Sequence, residues 1–478
     1  MKVLLVNPPR FEGIPVIREE RCEITERYSV LEPYSLLQVG ALLRQSGQSV
    51  SLLDMNGFNL SWKDLEERLR ILSPDIVIFR FTPTTFDHDV KTAALAKTND
   101  PDTITVGICW TLRTMPKQVM SLAPSMDFYI RHEYEVVTPS LIQALESSGD
   151  ASGVSGIAYR VGNEIKVNPD ASPLEDYDSL PIPAFDLLPS LEPYFVTAPA
   201  GRPYTIIYTS KGCPFKCSFC TVAGTKWRPK SARRTVEELR YLKQRYGIRT
   251  VSFFDETFTL DKKRVLQLCD AMIEEGMDIG WYCNTRTHLV DLELLKRMRQ
   301  AGCRGISYGV ESGSQKILDN TDKCIKVDQA RKAIAWAREA RIKTFASFIL
   351  GLPGESWETV QETIQFVKDT LPNSAEFNVA VPYPGTKLYE MVYGGNGTDA
   401  VDFRRLYQDD AVVGTEYLSP TELNEARSLA YRSLYFNPRW WMRNIGHVMR
   451  EPEDLDLAVR YAAKAMKNYF IYRMKHAH

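Results

Sequence analysis

The chain has 478 residues, 44% of them hydrophobic, enough for about three domains of roughly 150 residues each and incompatible with a disordered or fibrous protein. Its 59 basic and 60 acidic residues leave a formal net charge of -1, which excludes bulk electrostatic attraction to nucleic acid or anionic membranes. The opening Met1–Pro9 stretch stops short of a secretory core, and no run approaches the roughly 18 apolar residues of a spanning helix, so a cytoplasmic protein without membrane insertion is expected.

The first 150 residues alternate apolar strands with amphipathic helices. Strands are predicted at Lys2 to Asn7, Ser49 to Asp54, Asp75 to Phe79, Thr103 to Ile108 and Phe128 to Ile130. This pattern makes an open, doubly wound α/β sheet, which binds ligands beyond the carboxyl ends of its strands. The turns at those ends are polar or Pro-containing: Asn7-Pro8-Pro9, Asp54, Thr82-Pro83-Thr84 and Trp110-Thr111. A ligand-binding domain is therefore expected over 1–150. Residues 151–195 are irregular and include Leu180-Pro181-Ile182-Pro183, the composition of a linker.

From 196 to 395 the alternation resumes in about six strand–helix units. Strands are predicted at Tyr204 to Tyr208, Thr250 to Phe254, near Trp281, Gly305 to Tyr308, Thr344 to Leu350 and Glu376 to Val381. Thr235 and Glu238 have the spacing of a capping box at the first helix. A partial parallel barrel is the natural architecture. The last stretch, 396–478, is mainly helical in pattern and rich in Arg and aromatics, a small C-terminal domain.

Nine cysteines are present, and three fall within eight residues, unlike the dispersed pairs of a disulfide scaffold. Cys213-Pro214-Phe215-Lys216-Cys217-Ser218-Phe219-Cys220 puts three thiols on one loop after a strand, enough to bind three irons of a cubane and leave the fourth open. An open iron lets a cluster bind and reduce a substrate, whereas electron-transfer clusters normally take four thiolates. Structural zinc is the alternative, but it needs a fourth Cys or His nearby, and the next histidine is the distant His288. Cys22, Cys109, Cys269, Cys283, Cys303 and Cys324 lack pairing or ligand spacing and read mostly as small buried hydrophobes.

Cys-x3-Cys-x-aromatic-Cys after a strand, with Phe219 at the aromatic position, resembles the signature of the radical S-adenosylmethionine (SAM) superfamily. The resemblance implies a 4Fe-4S cluster on Cys213, Cys217 and Cys220. Its open iron would chelate SAM, and one electron would cleave SAM to methionine and a 5′-deoxyadenosyl radical. Further contacts are implied at later strand ends, where such architectures place catalytic groups. Phe254-Asp255-Glu256-Thr257 stands where the family binds the SAM amino group; Glu256 is the first choice and Asp255 the second, since a carboxylate suits an ammonium.

Asn284-Thr285-Arg286 and Gly309-Val310-Glu311-Ser312 are similar to the family's polar contacts to the SAM carboxylate and ribose. Arg286 offers a fork to the carboxylate and Glu311 an acceptor to a hydroxyl; a salt bridge between neighbouring strand ends is the other reading. Ser347 to Gly351 resembles the strand that flanks the adenine, with Ser347 replacing the usual first glycine and Glu355 one residue late. Val381-Pro382-Tyr383-Pro384-Gly385-Thr386 resembles the segment that closes the barrel, or is a Pro-rich turn.

The first domain resembles the cobalamin-binding module fused to many radical SAM enzymes. Asn7-Pro8-Pro9, Glu32-Pro33-Tyr34-Ser35, Asp54, Thr82-Pro83-Thr84, Gly107-Ile108-Cys109-Trp110-Thr111 and Arg131-His132-Glu133-Tyr134-Glu135 carry the likeness. A flavodoxin-like domain with another ligand, or none, is the alternative. The resemblance implies cobalamin contacts among Tyr34, Asp54, Arg80, Thr82, Thr84, Trp110, Thr111, Leu112, Glu133 and Glu135. The Asp-x-His-x-x-Gly spacing of histidine-ligated cobalamin is absent at Asp87-His88, so His88 reads as a surface helix residue. Trp110, Leu112 or Arg80 at the lower corrin face would keep cobalt without a histidine ligand; Trp110 as plain core is the other reading.

Tyr435 to Arg443 resembles the C-terminal segment of cobalamin-dependent radical SAM enzymes of the cyclase and hopanoid type. Basic-aromatic sequence also suits stacking on RNA, a reading that the balanced net charge disfavours. Together the resemblances imply a methyltransferase acting on an unactivated sp3 carbon, with a peptide or protein residue slightly favoured as target. A low-potential electron donor such as a ferredoxin or flavodoxin is expected. A non-methylating oxidative cyclase or ring-rearranging enzyme shares every motif, and a cobalamin sensor or carrier with a vestigial barrel is the non-enzymatic alternative.

Overall fold

The structure, a computed structural model, describes residues 1–19, 23–24, 29–196, 201–394, 402–406, 408 and 410–448. Cys22, the expected boundary at 395/396 and the end of the C-terminal domain, 449–478, lie outside the described residues. The chain forms two compact units: Met1–Phe195 with Tyr383–Leu406, and the described residues of Val196–Pro382 and Tyr407–His478. No helix among the described residues is long and apolar enough to cross a membrane.

The first unit is built on seven strands: β1 (Lys2–Asn7), β2 (Ser49–Asp54), β3 (Ile76–Arg80), β4 (Ile104–Ile108), β5 (Phe128–Ile130), β6 (Ile157–Val161) and β7 (Glu164–Val167). Their order is β2-β1-β3-β4-β5-β6-β7, with the first five parallel. The order of those five is flavodoxin-like, reversing direction between β1 and β3. β1 and β3 are nearly continuous apolar runs because helices cover both faces of a parallel sheet. On one face Val3, Leu5 and Ile78 pack with Leu36, Val39 and Leu43 of α1 (Tyr34–Gln45) and Val137 and Leu141 of α2 (Tyr134–Ser147).

Within residues 151–195, expected as a linker, Ile157–Val161 and Glu164–Val167 extend this sheet, while the remainder forms no strand of it. β6 pairs antiparallel to β5, Ile130 opposite Ile157, and β7 returns along β6 through the turn Gly162-Asn163. The hairpin continues the short β5 and so covers a sheet edge that would otherwise expose unpaired backbone. Residues 383–394 and 402–406, expected to belong to the barrel and the C-terminal domain, pack in this first unit: the Phe403 ring meets Phe86 edge-on at 5.1 Å.

The second unit holds six parallel strands in sequential order: β8 (Tyr204–Ile207), β9 (Thr250–Phe253), β10 (Gly280–Thr285), β11 (Cys303–Glu311), β12 (Lys343–Leu350) and β13 (Ser374–Val379). Helices separate them, and the first and last strands do not pair, giving a partial (β/α)6 barrel. Trp281, Cys283, Ala346, Phe348 and Phe377 are buried on one face, where Phe348 meets Phe366 of the following helix. The alternate residues Tyr282, Asn284, Ser307, Gly309, Phe345 and Ser347 are only half-buried and line the opposite, inner face.

The helix after β8, α3 (Ala232–Tyr246), is capped by Ser231, whose Oγ accepts from the Arg234 N–H. The expected capping box is thereby corrected: Thr235 and Glu238 lie inside the helix, and Glu238 instead pairs with buried Lys230 at 2.6 Å. The C-terminal helix α4 (Pro420–Tyr435) seals the open edge at β13. Tyr435 accepts from the Ala375 N–H and donates to its carbonyl, Tyr431 accepts from the Phe377 N–H, and Arg427 donates to the Phe377 carbonyl. Four edge groups that would otherwise face water are thus satisfied.

Candidate functional site

The cysteine loop leaves β8 through a short antiparallel pair, Ser210–Lys211 with Arg228–Pro229. Gly212 turns the chain into Cys213 with φ 88°, and a Cβ there would stand 2.2 Å from the Lys226 carbonyl oxygen. Backbone hydrogen bonds pin the loop: within it Cys220 N–H donates to Cys217 O and Gly224 N–H to Phe215 O, and Ser218 N–H ties it to Thr321 O. Cys213 N–H donates to Thr225 Oγ1 at 2.9 Å. Cys213 and Cys217 are buried and Cys220 half-buried, all as free thiols. Burial, with Cys217 and Cys213 alongside, pushes the Cys220 thiol up to about 12. A thiol held this high needs metal cations to become a thiolate ligand.

Among the described residues no group of three His, Cys, Asp or Glu is spaced to hold a single metal ion. Three thiols on one loop suit a cubane, in which each thiolate takes a different iron. The donor set therefore fits the cluster.

The two adjacent carboxylates separate by environment. Asp255 is fully buried and accepts from Thr209 N–H, Thr209 Oγ1 and Ser210 Oγ, at 2.6–2.7 Å, so it ties the end of β8 to β9. Glu256 is half-buried. Thr257 Oγ1 lies 3.7 Å from Cys213 Sγ.

Arg286, just beyond β10, donates from Nη1 to Cys217 Sγ at 3.1 Å and from Nη2 to the Lys323 carbonyl. Its guanidinium carbon stands 3.9 Å from the Phe215 ring centroid. The salt bridge considered between neighbouring strand ends exists, but between Glu311 and Lys323, at 2.6 Å and buried on both sides. Glu311 sits at φ 66°, and Lys323 is flanked by Asp322 and Cys324 at φ 53° and 55°. Lys323 also lies 6.0 Å from the half-buried Phe219 ring. Sequence reasoning missed Lys323, since no local pattern distinguishes it from a surface lysine. Asn284 and Ser347 are half-buried on the inner face of β10 and β12. His288 packs edge-on to Phe215 and is pushed down to about 4 by burial and the charges of Arg286 and Lys323. Glu355 is buried beside Thr359, which donates to it.

In the first unit, Asp54, Arg80, Thr82, Thr84, Thr111, Leu112, Glu133 and Glu135 are buried at or just beyond the carboxyl ends of the strands, Tyr34 opens α1, and Trp110 is half-buried. Asp54 accepts from Asn7 Nδ2 (2.7 Å), Gly57 N–H (2.9 Å) and Tyr194 OH (2.6 Å), while burial pushes its carboxyl up. Glu135 accepts from Tyr177 OH at 2.7 Å. Thr82 and Thr85 join a buried network on Asp89, whose carboxylate pairs with Arg18 at 2.7 Å; Arg18 also donates to the Pro8 and Pro9 carbonyls. This clamp, which sequence reasoning missed, fixes the loops after β1 and β3 at the topological switch point.

Trp110 meets His132 edge-on at 5.4 Å, with Arg113 over its ring at 4.5 Å. Arg80 lies 5.9 Å from the Tyr134 ring. His88, expected at the surface, is half-buried between Phe11 and Trp62, with Nε2 3.2 Å from Pro9 O. His132 Nε2 lies 3.1 Å from Asp170. A cobalt ligand from either Nε2 would have to break these contacts. Cys109, Cys269, Cys283 and Cys303 are buried as expected, whereas Cys324 is exposed.

Residues 207–367 match the radical SAM superfamily. The chain is 30% identical over 448 residues to the uncharacterized methyltransferase PH0819 of Pyrococcus horikoshii, covering 93% of this chain and 95% of that protein. It is 28% identical over 449 residues to the anaerobic magnesium-protoporphyrin IX monomethyl ester cyclase of Rubrivivax gelatinosus, covering 91% and 78% respectively. Its fold matches the radical SAM methyltransferase TsrM from Kitasatospora setae, solved with cobalamin and a 4Fe-4S cluster, with TM-score 0.70 over 92% of this chain and 89% of that one at 18% identity. It also matches the cobalamin-dependent SAM radical enzyme OxsB, solved with aqua-cobalamin and SAM, with TM-score 0.72 over 95% and 71% at 18% identity. With its cysteine triad on the loop after the first barrel strand and a flavodoxin-like unit before it, the chain belongs to the radical SAM superfamily and carries the fold of its cobalamin-dependent members.

Proposed function

We propose that this chain is a cobalamin-dependent radical SAM methyltransferase that methylates an unactivated sp3 carbon, with a peptide or protein residue as the first target class to test. The observation that carries the reading is the cysteine loop: three free thiols on one loop, pinned by backbone hydrogen bonds beyond the carboxyl end of the first barrel strand. When bound, the cluster would supply the electron that cleaves SAM, fed by a ferredoxin or flavodoxin, and cobalamin would carry the methyl group. Glu256 is the carboxylate for the SAM ammonium, because Asp255 already accepts three hydrogen bonds from the loop behind it. Asn284 and Ser347 offer polar contacts to SAM from the inner face. Trp110, Leu112 and Arg80 are the residues assigned to the corrin.

The 28% identity to a cyclase favours one second reading, an oxidative radical enzyme that does not methylate. Product analysis separates the two. Under anaerobic turnover a methyltransferase should form S-adenosylhomocysteine and 5′-deoxyadenosine in near-equal amounts, one of each per methylated product. Abundant 5′-deoxyadenosine without S-adenosylhomocysteine would establish the cyclase-type reading instead.

A further inference from the structure

We propose that Arg286 is a positioning residue for the cluster: it holds Cys217 and raises the cluster's reduction potential, and the segment Thr321–Cys324 anchors it. The proposal rests on the reading of the three cysteines as cluster ligands.

Arg286 is 5% exposed. A buried guanidinium is costly unless an anion compensates it. Among the described residues Arg286 forms no ion pair with a carboxylate; its charged donor is aimed at Cys217 Sγ, 3.1 Å away. The same guanidinium lies over Phe215, two residues before Cys217, and its second donor reaches the Lys323 carbonyl. Three contacts from one rigid fork fix both the sulfur and the loop that carries it, which a lysine ammonium cannot do.

The anchor is itself braced. Lys323 is neutralised by Glu311, and Thr321 O takes the N–H of Ser218, the residue after Cys217. Two left-handed residues, Asp322 and Cys324, flank Lys323, backbone that persists only where surrounding structure enforces it. Since Lys323 is paired and Arg286 is not, the uncompensated positive charge falls on the Cys217 side of the loop. Reduction adds one negative charge to the cluster, and both a donor to a ligand sulfur and a nearby cation favour that state.

Potentiometric titration of the reconstituted full-length protein without SAM, read by electron paramagnetic resonance, tests this. Arg286→Gln should raise the oxidised-to-reduced ratio at a given potential about tenfold, a shift of ~59 mV downward for a one-electron couple. Arg286→Lys, which keeps the charge but not the fork, should recover part of it. Wild-type potentials in both variants, with weakened SAM binding, would overturn the proposal and return Arg286 to the SAM carboxylate. Should neither variant load iron, Phe215→Leu decides: a smaller downward shift supports the proposal and an unchanged potential overturns it. Failure of the cluster reading would appear separately, as wild-type protein that binds no iron.

Discussion

Replacing Gly212 with alanine adds a single methyl group immediately before Cys213. At φ 88° the backbone is in a region that residues with a Cβ rarely enter, and the new carbon would stand 2.2 Å from the Lys226 carbonyl oxygen and 3.2 Å from Thr225 Oγ1. The nearest atom is backbone, so no side-chain rotation relieves the contact. Left-handed strain of about 1–3 kcal/mol and overpacking of a similar size sum to roughly 2–6 kcal/mol, concentrated in the loop. The Cys213 N–H to Thr225 Oγ1 bond should break and the first ligand should move. Gly224 is the matched control: it lies in the same loop at φ 70°, but a Cβ there meets nothing within 4 Å, leaving strain alone at about 1–2 kcal/mol. After anaerobic reconstitution, iron and sulfide per chain and the cluster absorbance are measured for both variants. Gly212→Ala should lose most of its cluster and Gly224→Ala should keep it. Full iron with an unchanged spectrum in Gly212→Ala, or equal loss in both, would refute the reasoning.

Changing Cys213, Cys217 and Cys220 together to Ala should abolish the cluster, seen by iron analysis; a retained cluster would overturn the ligand assignment. Tyr435→Phe leaves the Ala375 N–H and carbonyl without their partner and should cost about 2–4 kcal/mol, with faster hydrogen exchange along β13. Burial pushes Glu355 up to about 7 from its ordinary 4.5. The folded chain then binds more protons than the unfolded one between those values, so this contribution is full below pH 4.5 and lost as pH rises through 7. The change is about 3 kcal/mol, and melting curves of Glu355→Gln should lack it. Electron paramagnetic resonance of the cob(II)alamin form should show no threefold nitrogen splitting; such splitting traced to His88 or His132 would contradict the contacts that hold their Nε2 atoms.

Much of the fold was legible because parallel strands covered on both faces are short apolar runs with polar ends. Lys2–Asn7, Ser49–Asp54 and Phe128–Ile130 appear as read, and the six barrel strands fall within a few residues of their expected places. The hairpin Ile157–Val167 carried its own signal, the turn Gly162-Asn163 between two alternating runs, but the neighbouring prolines obscured it. Ser231 rather than Thr235 caps its helix because the cap must lie outside the helix, a boundary that spacing does not locate. That Cys213, Cys217 and Cys220 share one loop was determined by sequence alone, since ligands a few residues apart cannot separate. Which neighbours serve that loop was decided only by tertiary structure. Asp255 and Glu256 are adjacent and chemically alike, yet three donors from Thr209 and Ser210, just beyond β8, make one of them scaffold. Arg18 and Asp89 are 71 residues apart, and Arg286 reaches Cys217 across 69. A buried charge takes as its partner whatever the fold brings within hydrogen-bonding distance, and that choice leaves no periodicity or spacing to read in the chain.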